Sequence, residues 1–450
     1  MGPISEALAS GPQRVLLVGM GVTNRAVAGA LVRRQHLVVA VDDGADDKLR
    51  ASISELGFDL VEQPDETRLG ALVAEVDMVC PAPGLPERHA VFALADSHGC
   101  PVVSELDLAA AWDHRPIAAI TGTNGKTTVV ELAVDALRRS GILAVAAGNT
   151  DVPLVAAIDD PSTEVFVVEA SSFRLARASE FAPRVGTWLN FAPDHLDIHT
   201  DLQTYEDAKA RLFSMVEPDG VVVANGADDV VMSRLPPDRK VVTFGTPSAD
   251  WRQEGDELIG PDGVFTTIDR LWRGLPHDVE DTLAAAATVA PLGATSEAIL
   301  AAGQEFPGLA HRVNPIGEVG GSTYFDDSKA TTPHATLAAL RGFTSVVLIA
   351  GGRNKGVDLS VLAAGGEHIA AVVAIGEAAD EVFEVFASTH PVAVAHDMGE
   401  AVRIAQGFAA GGVPVLLSPG CASFDWYRNY GERGDDFARI VELAGGGVRP

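Results

Sequence analysis

Short runs of consecutive apolar residues alternate along this chain with longer segments in which apolar residues recur at helical spacing. Uninterrupted apolar runs are typical of strands buried on both faces, and their alternation with helices indicates α/β domains with mainly parallel sheets. The first unit predicts a strand over residues 14–21, a helix to about Arg34, and a strand over residues 37–41 that ends in Asp42. Further strands are predicted at residues 117–120, 165–169, 346–350 and 413–417.

The length of 450 residues exceeds what one hydrophobic core supports, so we expect several domains. The first boundary is predicted near Ser104, before a helix. The second is predicted between Gly303 and Leu309, where Pro307 and Gly308 are typical of a connector. The predicted domains are therefore residues 1–104, 105–308 and 309–450.

A glycine-rich turn follows the apolar run at residues 117–120. The turn and the first residues after it are Gly122, Thr123, Asn124, Gly125, Lys126, Thr127 and Thr128. Backbone N–H groups of such a turn, with the N-terminus of the next helix, bind phosphate oxygens. Lys126 would reach the terminal phosphates and Thr127 would offer its hydroxyl to Mg²⁺. The first glycine of the general pattern would fall at Ile120, and Gly122 is present instead. We predict that the chain binds ATP.

Bulk composition narrows the classes of partner. A formal charge of −29 opposes binding to nucleic acid and to anionic membranes, because both repel an acidic surface. The three cysteines are scattered and lack paired spacing, which indicates reduced thiols. No apolar run reaches membrane-spanning length, and the first residues lack a basic leader. We expect a soluble cytoplasmic protein that acts on small molecules as a monomer.

The N-terminal sequence Gly19-Met20-Gly21 leaves its ligand open. It follows a strand, and Asp42 stands about twenty positions later, as in a dinucleotide fingerprint. The third glycine position holds Asn24 instead. A dinucleotide, another nucleotide-type ligand and a purely structural turn all fit this pattern.

Lysine is scarce, with six among the 33 basic residues, so arginine is used wherever it serves. A compact ammonium or a reactive amine is a role that arginine cannot fill. Lys126, Lys329 and Lys355 lie in Gly- or Asp-rich loops at predicted strand ends, which favours a role in binding. Lys209 lies within a predicted helix that Thr204 would cap.

Two acidic segments are candidates for binding a cation. Glu169 ends a buried strand, and in open α/β sheets that end faces the ligand crevice. His195 and His199 have the spacing of zinc ligands on a helix, but Pro193 and the lack of a glutamate base argue against a zinc hydrolase. With ATP present, Mg²⁺ is the better prediction.

Together these motifs resemble the Mur ligase family, the ATP-dependent amide-forming enzymes of peptidoglycan precursor synthesis. The resemblance covers nearly the whole chain. It rests on residues 122–128, 169–173, 194–195, the segment bearing Lys209, 311–312, 326–331 and 351–356. The segment at residues 418–437 is similar to that of members which add D-glutamate, and the Asp-Asn-Pro-Arg motif of diaminopimelate- and lysine-adding members is absent from the sequence.

The resemblance implies three α/β domains. The first is Rossmann-like and binds the UDP group, the second is a P-loop-type ATPase domain, and the third is Rossmann-like and binds an amino acid. The implied substrates are UDP-N-acetylmuramoyl-L-alanine, D-glutamate and ATP, with two Mg²⁺ ions. The implied reaction passes through an acyl phosphate.

The resemblance also implies roles for individual residues. Residues assigned to the UDP-substrate are Gly21, Val22, Thr23, Asp42 and Asn149. Residues assigned to the nucleotide beyond the phosphate loop are Asp281, Arg312 and Asp327. Residues assigned to Mg²⁺ are Thr127, Glu169, His195 and Lys209, the last as a carbamylated lysine. Residues assigned to D-glutamate are Lys329, Thr331, Lys355, Ser423 and Tyr430. Where the family often has His-Asn-x-x-Asn near the adenine, this chain has Asp278 and Asp281, whose ionised carboxylates accept hydrogen bonds but donate none.

Four alternatives remain open. A sister ligase or a folylpolyglutamate synthetase would share the phosphate loop, although the C-terminal motif argues against both. A dinucleotide-dependent oxidoreductase would use Gly19-Met20-Gly21. A binding module gated by nucleotide would hydrolyse ATP without forming a bond.

Overall fold

The computed structural model describes residues 2–195 and 198–445. Internal contacts divide the chain into two compact units. The first comprises the described residues within 1–191, 197–268 and 281–304, and the second comprises those within 192–196, 269–280 and 305–450. The domain boundaries predicted at residues 104 and 308 stay predictions.

The first unit begins with a four-stranded parallel sheet. Its strands are β1 (Arg14–Val18), β2 (Leu37–Asp42), β3 (Asp59–Glu62) and β4 (Met78–Pro81), in the order β3-β2-β1-β4. Its helices are α1 (Pro3–Ser10), α2 (Val22–Arg33), α3 (Asp47–Leu56), α4 (Glu66–Ala74), α5 (Ala90–His98) and α6 (Glu105–Trp112). Val15 and Leu17 pack into one core cluster, while Leu16 and Val18 pack into another on the opposite face. This burial on both faces explains why β1 is an uninterrupted apolar run.

A six-stranded parallel sheet follows in the same unit. Its strands are β5 (Ile117–Thr121), β6 (Ala144–Gly148), β7 (Val165–Glu169), β8 (Val185–Trp188), β9 (Val221–Asn225) and β10 (Lys240–Phe244), in the order β10-β9-β8-β5-β7-β6. Its helices are α7 (Lys126–Arg139), α8 (Leu154–Ala157), α9 (Ser172–Leu175), α10 (Leu202–Met215) and α11 (Asp229–Ser233). Ile120 pairs with Glu169, so the phosphate loop and this carboxylate leave the sheet at the same edge.

Smaller elements complete this part of the chain. Three short antiparallel strands are β11 (Arg252–Glu254), β12 (Glu257–Gly260) and β13 (Gly263–Thr267). Two helices are α12 (Pro276–Val289) and α13 (Ser296–Glu305), and short 3₁₀ segments occupy Ile268–Arg270 and Ala290–Leu292. The predicted connector at Pro307 and Gly308 lies just after α13.

The second unit contains a mixed six-stranded sheet. Its strands are β14 (Asn314–Val319), β15 (Ser322–Asp326), β16 (Val346–Gly351), β17 (Ile369–Ile375), β18 (Val392–Val394) and β19 (Val415–Leu417), in the order β14-β15-β19-β16-β17-β18. Its helices are α14 (Pro333–Leu340), α15 (Ala379–Phe386), α16 (Met398–Phe408) and α17 (Tyr430–Leu443), with a 3₁₀ segment at Leu359–His368. Only the pairing of β14 with β15 is antiparallel. The predicted α/β class is confirmed.

Three predicted element boundaries were wrong, and one of them is the strand predicted at residues 413–417, which begins at Val415. The first strand stops at Val18 rather than Gly21, because Gly19 adopts φ +80° and turns the chain. The helix bearing Lys209 begins at Leu202, and its cap is Asp201, whose carboxylate accepts the N–H of Thr204 at 2.7 Å. Within residues 2–195 and 198–445, no helix combines the length and apolar character needed to cross a membrane.

Candidate active site

The predicted phosphate loop forms a tight turn between β5 and α7. Gly125 adopts φ +86°, and a Cβ added there would lie 2.7 Å from Oδ1 of Asp281. A Cβ added to Gly122 would lie 2.9 Å from the Cβ of Leu189. Ile120, where the general pattern places its first glycine, is a buried residue of β5. The close approach that requires glycine therefore occurs two residues later than in the general pattern.

Asn190, a residue that sequence reasoning missed, braces this loop. It lies just beyond β8, which is the neighbour of β5 in the sheet. Its Oδ1 accepts the backbone N–H of Thr123 at 3.0 Å and that of Asn124 at 2.9 Å. Its Nδ2 donates to the carbonyl oxygen of Asn124 at 3.2 Å. The sequence did contain a signal for Asn190, namely a polar residue next to the end of an apolar strand. The same kind of signal identified Glu169.

Two lysines converge on one carbonyl oxygen of the loop. Nζ of Lys126 donates to the carbonyl oxygens of Gly122 at 2.8 Å and Thr123 at 3.0 Å. Nζ of Lys209 donates to the same Gly122 oxygen at 2.7 Å. Lys209 comes from α10, far along the chain, so the fold brings a second cation to the phosphate loop. Thr127 and Thr128 follow Lys126 in the first turn of α7.

The environment of Lys209 is enclosed. Its side chain is only 2% exposed, and Nζ lies 4.7 Å from the centre of the Tyr205 ring. The Tyr205 hydroxyl is 3.1 Å from Oγ1 of Thr123. One buried aromatic residue on α10 therefore contacts both the lysine and the loop.

Glu169 is a buried carboxylate with one unsatisfied oxygen. It is 4% exposed, and its Oε1 accepts a hydrogen bond from Nδ2 of Asn149 at 2.9 Å. Its Oε2 is buried without a hydrogen-bond partner in the described part of the chain. An unsatisfied buried carboxylate oxygen is costly, and a hard cation such as Mg²⁺ satisfies it. Asn149, assigned by resemblance to the muramoyl group, orients this carboxylate.

His195 belongs to the second compact unit, unlike the other three predicted metal ligands. It adopts φ +55°, and its Nε2 lies 3.2 Å from Oδ2 of Asp194. Oδ1 of Asp194 is 3.7 Å from Nζ of Lys355. Among residues 2–195 and 198–445, no group of three His, Cys, Asp or Glu side chains is arranged to hold a metal ion. The predicted set differs from such a group, since it includes a threonine and a modified lysine, and it stays a prediction.

The N-terminal glycine turn leads into α2, and an arginine from elsewhere in the chain contacts it. Gly21 is the N-cap of α2, and Val22 is 58% exposed at the first position of that helix. Oγ1 of Thr23 accepts a hydrogen bond from Nη2 of Arg174 at 3.0 Å. Arg174 is itself buried and paired with Glu105. A cation that the sequence analysis did not single out thus stands beside Thr23.

Asp42 and Asn24 satisfy backbone groups of the same turn. The carboxylate of Asp42 accepts the N–H of Met20 at 2.6 Å and that of Gly44 at 2.8 Å. Nδ2 of Asn24 lies within 3.3 Å of the carbonyl oxygens of Val18, Gly19 and Cys80, to which it donates. Asn24 is fully buried. The residue that departs from the dinucleotide fingerprint therefore holds the ends of β1 and β4 together.

The predicted nucleotide contacts of the second unit include a buried acid near an arginine. Burial raises the pKa of Asp327 to about 7, although the Ser418 hydroxyl, which donates to it at 2.7 Å, and the charge of Arg312 oppose this shift. Nε of Arg312 is buried and has no hydrogen-bond partner within the described residues. Among the described residues, Nε of Arg312 is thus a buried donor that remains unsatisfied at this place.

The departure at residues 278 and 281 has a structural reason at the first position. Asp278 is 2% exposed, and its two carboxylate oxygens accept hydrogen bonds from Arg273 at 2.7 and 2.8 Å. Arg273 also donates to the carbonyl oxygen of Val313 at 2.8 Å. Asp278 therefore needs to be an acceptor, since it pairs with a guanidinium. Asp281 lies against Gly125, and its contact with adenine stays a prediction.

The residues assigned to D-glutamate lie on loops that follow three strands of one sheet. Lys329 and Thr331 follow β15, Lys355 follows β16, and Ser423 follows β19. Tyr430 is the first residue of α17, and Nζ of Lys329 lies 5.5 Å from the centre of its ring. Parallel strands β15, β19 and β16 are adjacent, so these loops emerge at the same edge of the sheet.

Comparison with known proteins identifies the family. A model of the Mur ligase middle domain matches residues 120–267, and a model of the Mur ligase glutamate ligase domain matches residues 311–421. A UDP-N-acetylmuramoylalanine--D-glutamate ligase from Desulfosudis oleivorans is 38% identical over 446 residues, which cover 96% of each chain. A protein of the same name from Pelotomaculum thermopropionicum is 36% identical and covers 95% of this chain and 97% of its own. The chain belongs to the Mur ligase family.

The predicted family, fold class and ligase class are thereby confirmed. A solved structure of MurF from Acinetobacter baumannii has a TM-score of 0.62 at 16% identity and covers 97% of this chain and 98% of that chain, a likeness of fold alone. Mur ligases are ATP-dependent, in agreement with the phosphate loop. The oxidoreductase alternative loses its support.

Proposed function

We propose that this Mur ligase joins D-glutamate to UDP-N-acetylmuramoyl-L-alanine and consumes ATP. One observation carries the proposal: the phosphate loop follows β5, Glu169 ends the adjacent strand β7, and both therefore lie at the same edge of the sheet. Two lysine side chains reach the loop, and an unsatisfied carboxylate oxygen lies on the adjacent strand. This combination is suited to a magnesium nucleotide whose terminal phosphate is transferred.

The reaction begins when the substrate carboxylate attacks the γ-phosphorus of ATP and ADP leaves. The product is an acyl phosphate, whose leaving group is much better than hydroxide. The amine of D-glutamate then attacks the carbonyl carbon, loses a proton, and the tetrahedral intermediate expels phosphate. Lys126 lies where charge builds on the transferring group, so its contribution is electrostatic.

The residues present fit Mg²⁺. Glu169 supplies a hard oxygen ligand that lacks another partner in the described residues, and Thr127 supplies a hydroxyl at the start of α7. The resemblance assigns His195 as a further Mg²⁺ ligand, and it assigns the second of two ions to Lys209 as a carbamate. When bound, Mg²⁺ neutralises negative charge on the phosphate oxygens.

Carbamylation of Lys209 agrees with its burial. An amine reacts with CO₂ only when it is neutral, and a side chain that is 2% exposed favours the neutral form. The product is an oxygen-rich anion, which a hard cation prefers. An unmodified ammonium would repel the ion.

The UDP end of the substrate binds at the N-terminal turn. Gly21, Val22 and Thr23 open α2 there, and Asp42 accepts donors, so a ribose hydroxyl or a base N–H suits it better than a phosphate. Asn149 reaches the muramoyl group while it orients Glu169. We place the enzyme in the cytoplasm as a monomer acting on these small molecules.

The amino-acid site is formed by the loops after β15, β16 and β19. Lys329 and Lys355 supply positive charge, while Thr331, Ser423 and the backbone at Tyr430 supply hydrogen bonds. A substrate without the side-chain carboxylate leaves such groups unpaired, so discrimination against D-alanine is on the order of 10⁴.

Phosphate release from ATP tests this function directly. The purified chain is mixed with UDP-N-acetylmuramoyl-L-alanine and, in parallel reactions, with D-glutamate, D-alanine, L-alanine, L-lysine or diaminopimelate. We expect release with D-glutamate alone, and none when the UDP-substrate is omitted. Comparable release with another amino acid would assign the chain to a sister ligase, and release without any amino acid acceptor would indicate simple hydrolysis.

A further inference from the structure

Arg433 is a fully buried arginine whose hydrogen bonds go to neutral oxygens. It lies in the first turn of α17 and is 1% exposed. Its Nε donates to Oγ of Ser328 at 2.9 Å, its Nη2 donates to the Ser328 carbonyl oxygen at 2.8 Å, and its Nη1 donates to the Cys421 carbonyl oxygen at 3.1 Å. None of these acceptors is a carboxylate, and burial lowers the pKa of Arg433 to about 10.

Each of these bonds fixes a loop that carries a predicted D-glutamate residue. Ser328 precedes Lys329, and Cys421 lies two residues before Ser423. The Ser328 hydroxyl, which accepts from Arg433, donates in turn to the carbonyl oxygen of Tyr430 at 2.8 Å. One guanidinium therefore connects the loop after β15, the loop after β19 and the start of α17.

A fourth segment joins the same cluster. Arg353 and Ala422 exchange backbone hydrogen bonds at 2.8 and 3.0 Å, which ties the loop bearing Lys355 to the loop bearing Ser423. A Cβ added to Gly352 would lie 3.1 Å from Nη1 of Arg433 and 2.4 Å from the carbonyl oxygen of Ala422. Gly352 thus allows the guanidinium and two loops to approach closely.

Packing alone does not explain this arginine. The charges of Asp425 and Asp326 act on the guanidinium from nearby, but neither carboxylate hydrogen-bonds it. Burying a guanidinium without such a bond is expensive, and an apolar side chain would fill the same volume at lower cost. The planar fork of arginine holds several acceptors in a fixed geometry, which a lysine cannot do. An arginine at this point is suited to holding separate loops in one arrangement.

We infer that Arg433 is a positioning residue for the amino-acid substrate. It holds the loops bearing Lys329, Lys355 and Ser423 so that their polar groups converge on the two carboxylates of D-glutamate. This inference rests on the proposed function, since it names the substrate of that site. Arg433 acts through these loops and contacts no reacting atom.

The test compares Arg433→Lys with two controls on the same helix. Arg439→Lys changes an exposed arginine that pairs with Asp436. Phe437→Leu reduces a buried side chain of the core and lowers the melting temperature, while it leaves every hydrogen bond of Arg433 in place. The KM for D-glutamate, the KM for ATP and the melting temperature are measured for each variant and for the unaltered enzyme.

We expect Arg433→Lys to raise the KM for D-glutamate by about 10- to 100-fold, because misplaced binding groups cost that much, and to leave the KM for ATP within about twofold. Both controls keep the ratio of the two KM values. Equal changes in both KM values, or a lower melting temperature with an unchanged ratio, would overturn the inference. Absence of D-glutamate-dependent turnover in the unaltered enzyme would overturn the proposed function instead.

A second variant covers the case in which Arg433→Lys does not fold. Ser328→Ala keeps the arginine and removes the hydroxyl that links it to Tyr430. A smaller rise in the KM for D-glutamate, severalfold, with an unchanged KM for ATP supports the inference. An unchanged KM for D-glutamate contradicts it.

Discussion

Two turns in the first unit share a plan of strand, glycine turn and helix, yet they differ in the charge they present. At the N-terminal turn, the carboxylate of Asp42 accepts two backbone N–H groups, and the amide of Asn24 donates to three carbonyl oxygens. At the phosphate loop, Asn190 accepts two backbone N–H groups, and Lys126 and Lys209 place two ammonium groups on one carbonyl oxygen.

The glycine spacing determines the backbone path of both turns. The side chains that hydrogen-bond the backbone of each turn determine which ligand the turn can bind. An acidic brace repels phosphate and suits hydroxyl or N–H donors. A neutral brace with nearby cations suits phosphate. Under the proposed function, the first turn suits the uridine end of the UDP-substrate and the second suits the phosphates of ATP.

The largest effect is expected at Lys209, which reaches the phosphate loop from α10. Lys209→Ala should lose nearly all turnover, on the order of 10³-fold or more, because one transition-state charge stabiliser alone is worth 10²–10³. Lys209→Arg should stay inactive, since a guanidinium keeps its charge and forms no carbamate. Steady-state phosphate release measures both.

Added acetate or formate serves as the control for Lys209→Ala, because small carboxylates fill the vacated oxygen positions. Partial recovery is expected for the alanine variant and none for the arginine variant. A fully active Lys209→Arg enzyme would contradict the carbamate role.

The next largest effect is a difference in the free energy of unfolding between variants of Asn24 and Asn190. Asn24→Asp places a buried carboxylate against three carbonyl oxygens, so we expect a loss of about 3–5 kcal/mol in the free energy of unfolding. Chemical denaturation measures it. Asn190→Asp retains the oxygen that accepts two N–H groups, and its free energy of unfolding should change by about 1 kcal/mol. Equal destabilisation of the two variants would mean that the turns are braced alike.

Asn190→Asp has a smaller effect of its own, on binding. The added negative charge lies beside the backbone of Thr123 and Asn124, so the KM for ATP should rise about tenfold, which corresponds to about 1.4 kcal/mol. The KM for the UDP-substrate should stay the same. Asp42→Asn is the matched variant at the other turn, and it should raise the KM for the UDP-substrate while the KM for ATP is unchanged. A raised KM for the UDP-substrate in Asn190→Asp, or a raised KM for ATP in Asp42→Asn, would contradict the assignment of the two turns.

A pH-dependent effect concerns a buried carboxylate of the second unit. Burial raises the pKa of Asp327 from 3.8 to about 7, so the folded chain holds this proton more tightly than the unfolded chain. The free energy of unfolding should therefore fall as the pH rises from about 4 to 7, by at most about 1.4 kcal/mol per pH unit. Asp327→Asn should remove that slope, and denaturation at several pH values measures the difference. An identical slope in both proteins would refute this assignment.

Local sequence patterns were enough to predict much of the fold and part of the candidate active site. The apolar run, the glycines and the Lys-Thr pair at residues 117–128 are contiguous, so strand, turn and helix follow from the sequence itself. Glu169 was found because a carboxylate ends an apolar strand. The family resemblance added the roles of residues distant in sequence.

The remaining features depend on tertiary contacts. Asn190 and Arg433 act through partners 66 and 105 residues away, and nothing local to either residue marks those partners. The cap at Asp201 was mistaken for Thr204 because both side chains are suitable caps, and backbone geometry selects between them. In the sequence, Asn24 is only a departure from the dinucleotide fingerprint. The structure explains it, because Asn24 donates hydrogen bonds to three carbonyl oxygens.

The carbonyl oxygen of Gly122, shared by two lysines, has a consequence for how the enzyme becomes active. An ammonium of Lys209 donates to it at 2.7 Å, whereas a carbamate carries oxygens that accept hydrogen bonds and would repel it. The nitrogen of a carbamate keeps one N–H that can still donate to this oxygen, so the two carbamate oxygens would have to point away from it. Under the proposed carbamylation, dissolved inorganic carbon would thus replace a positive charge beside the loop by a negative charge that two oxygens share.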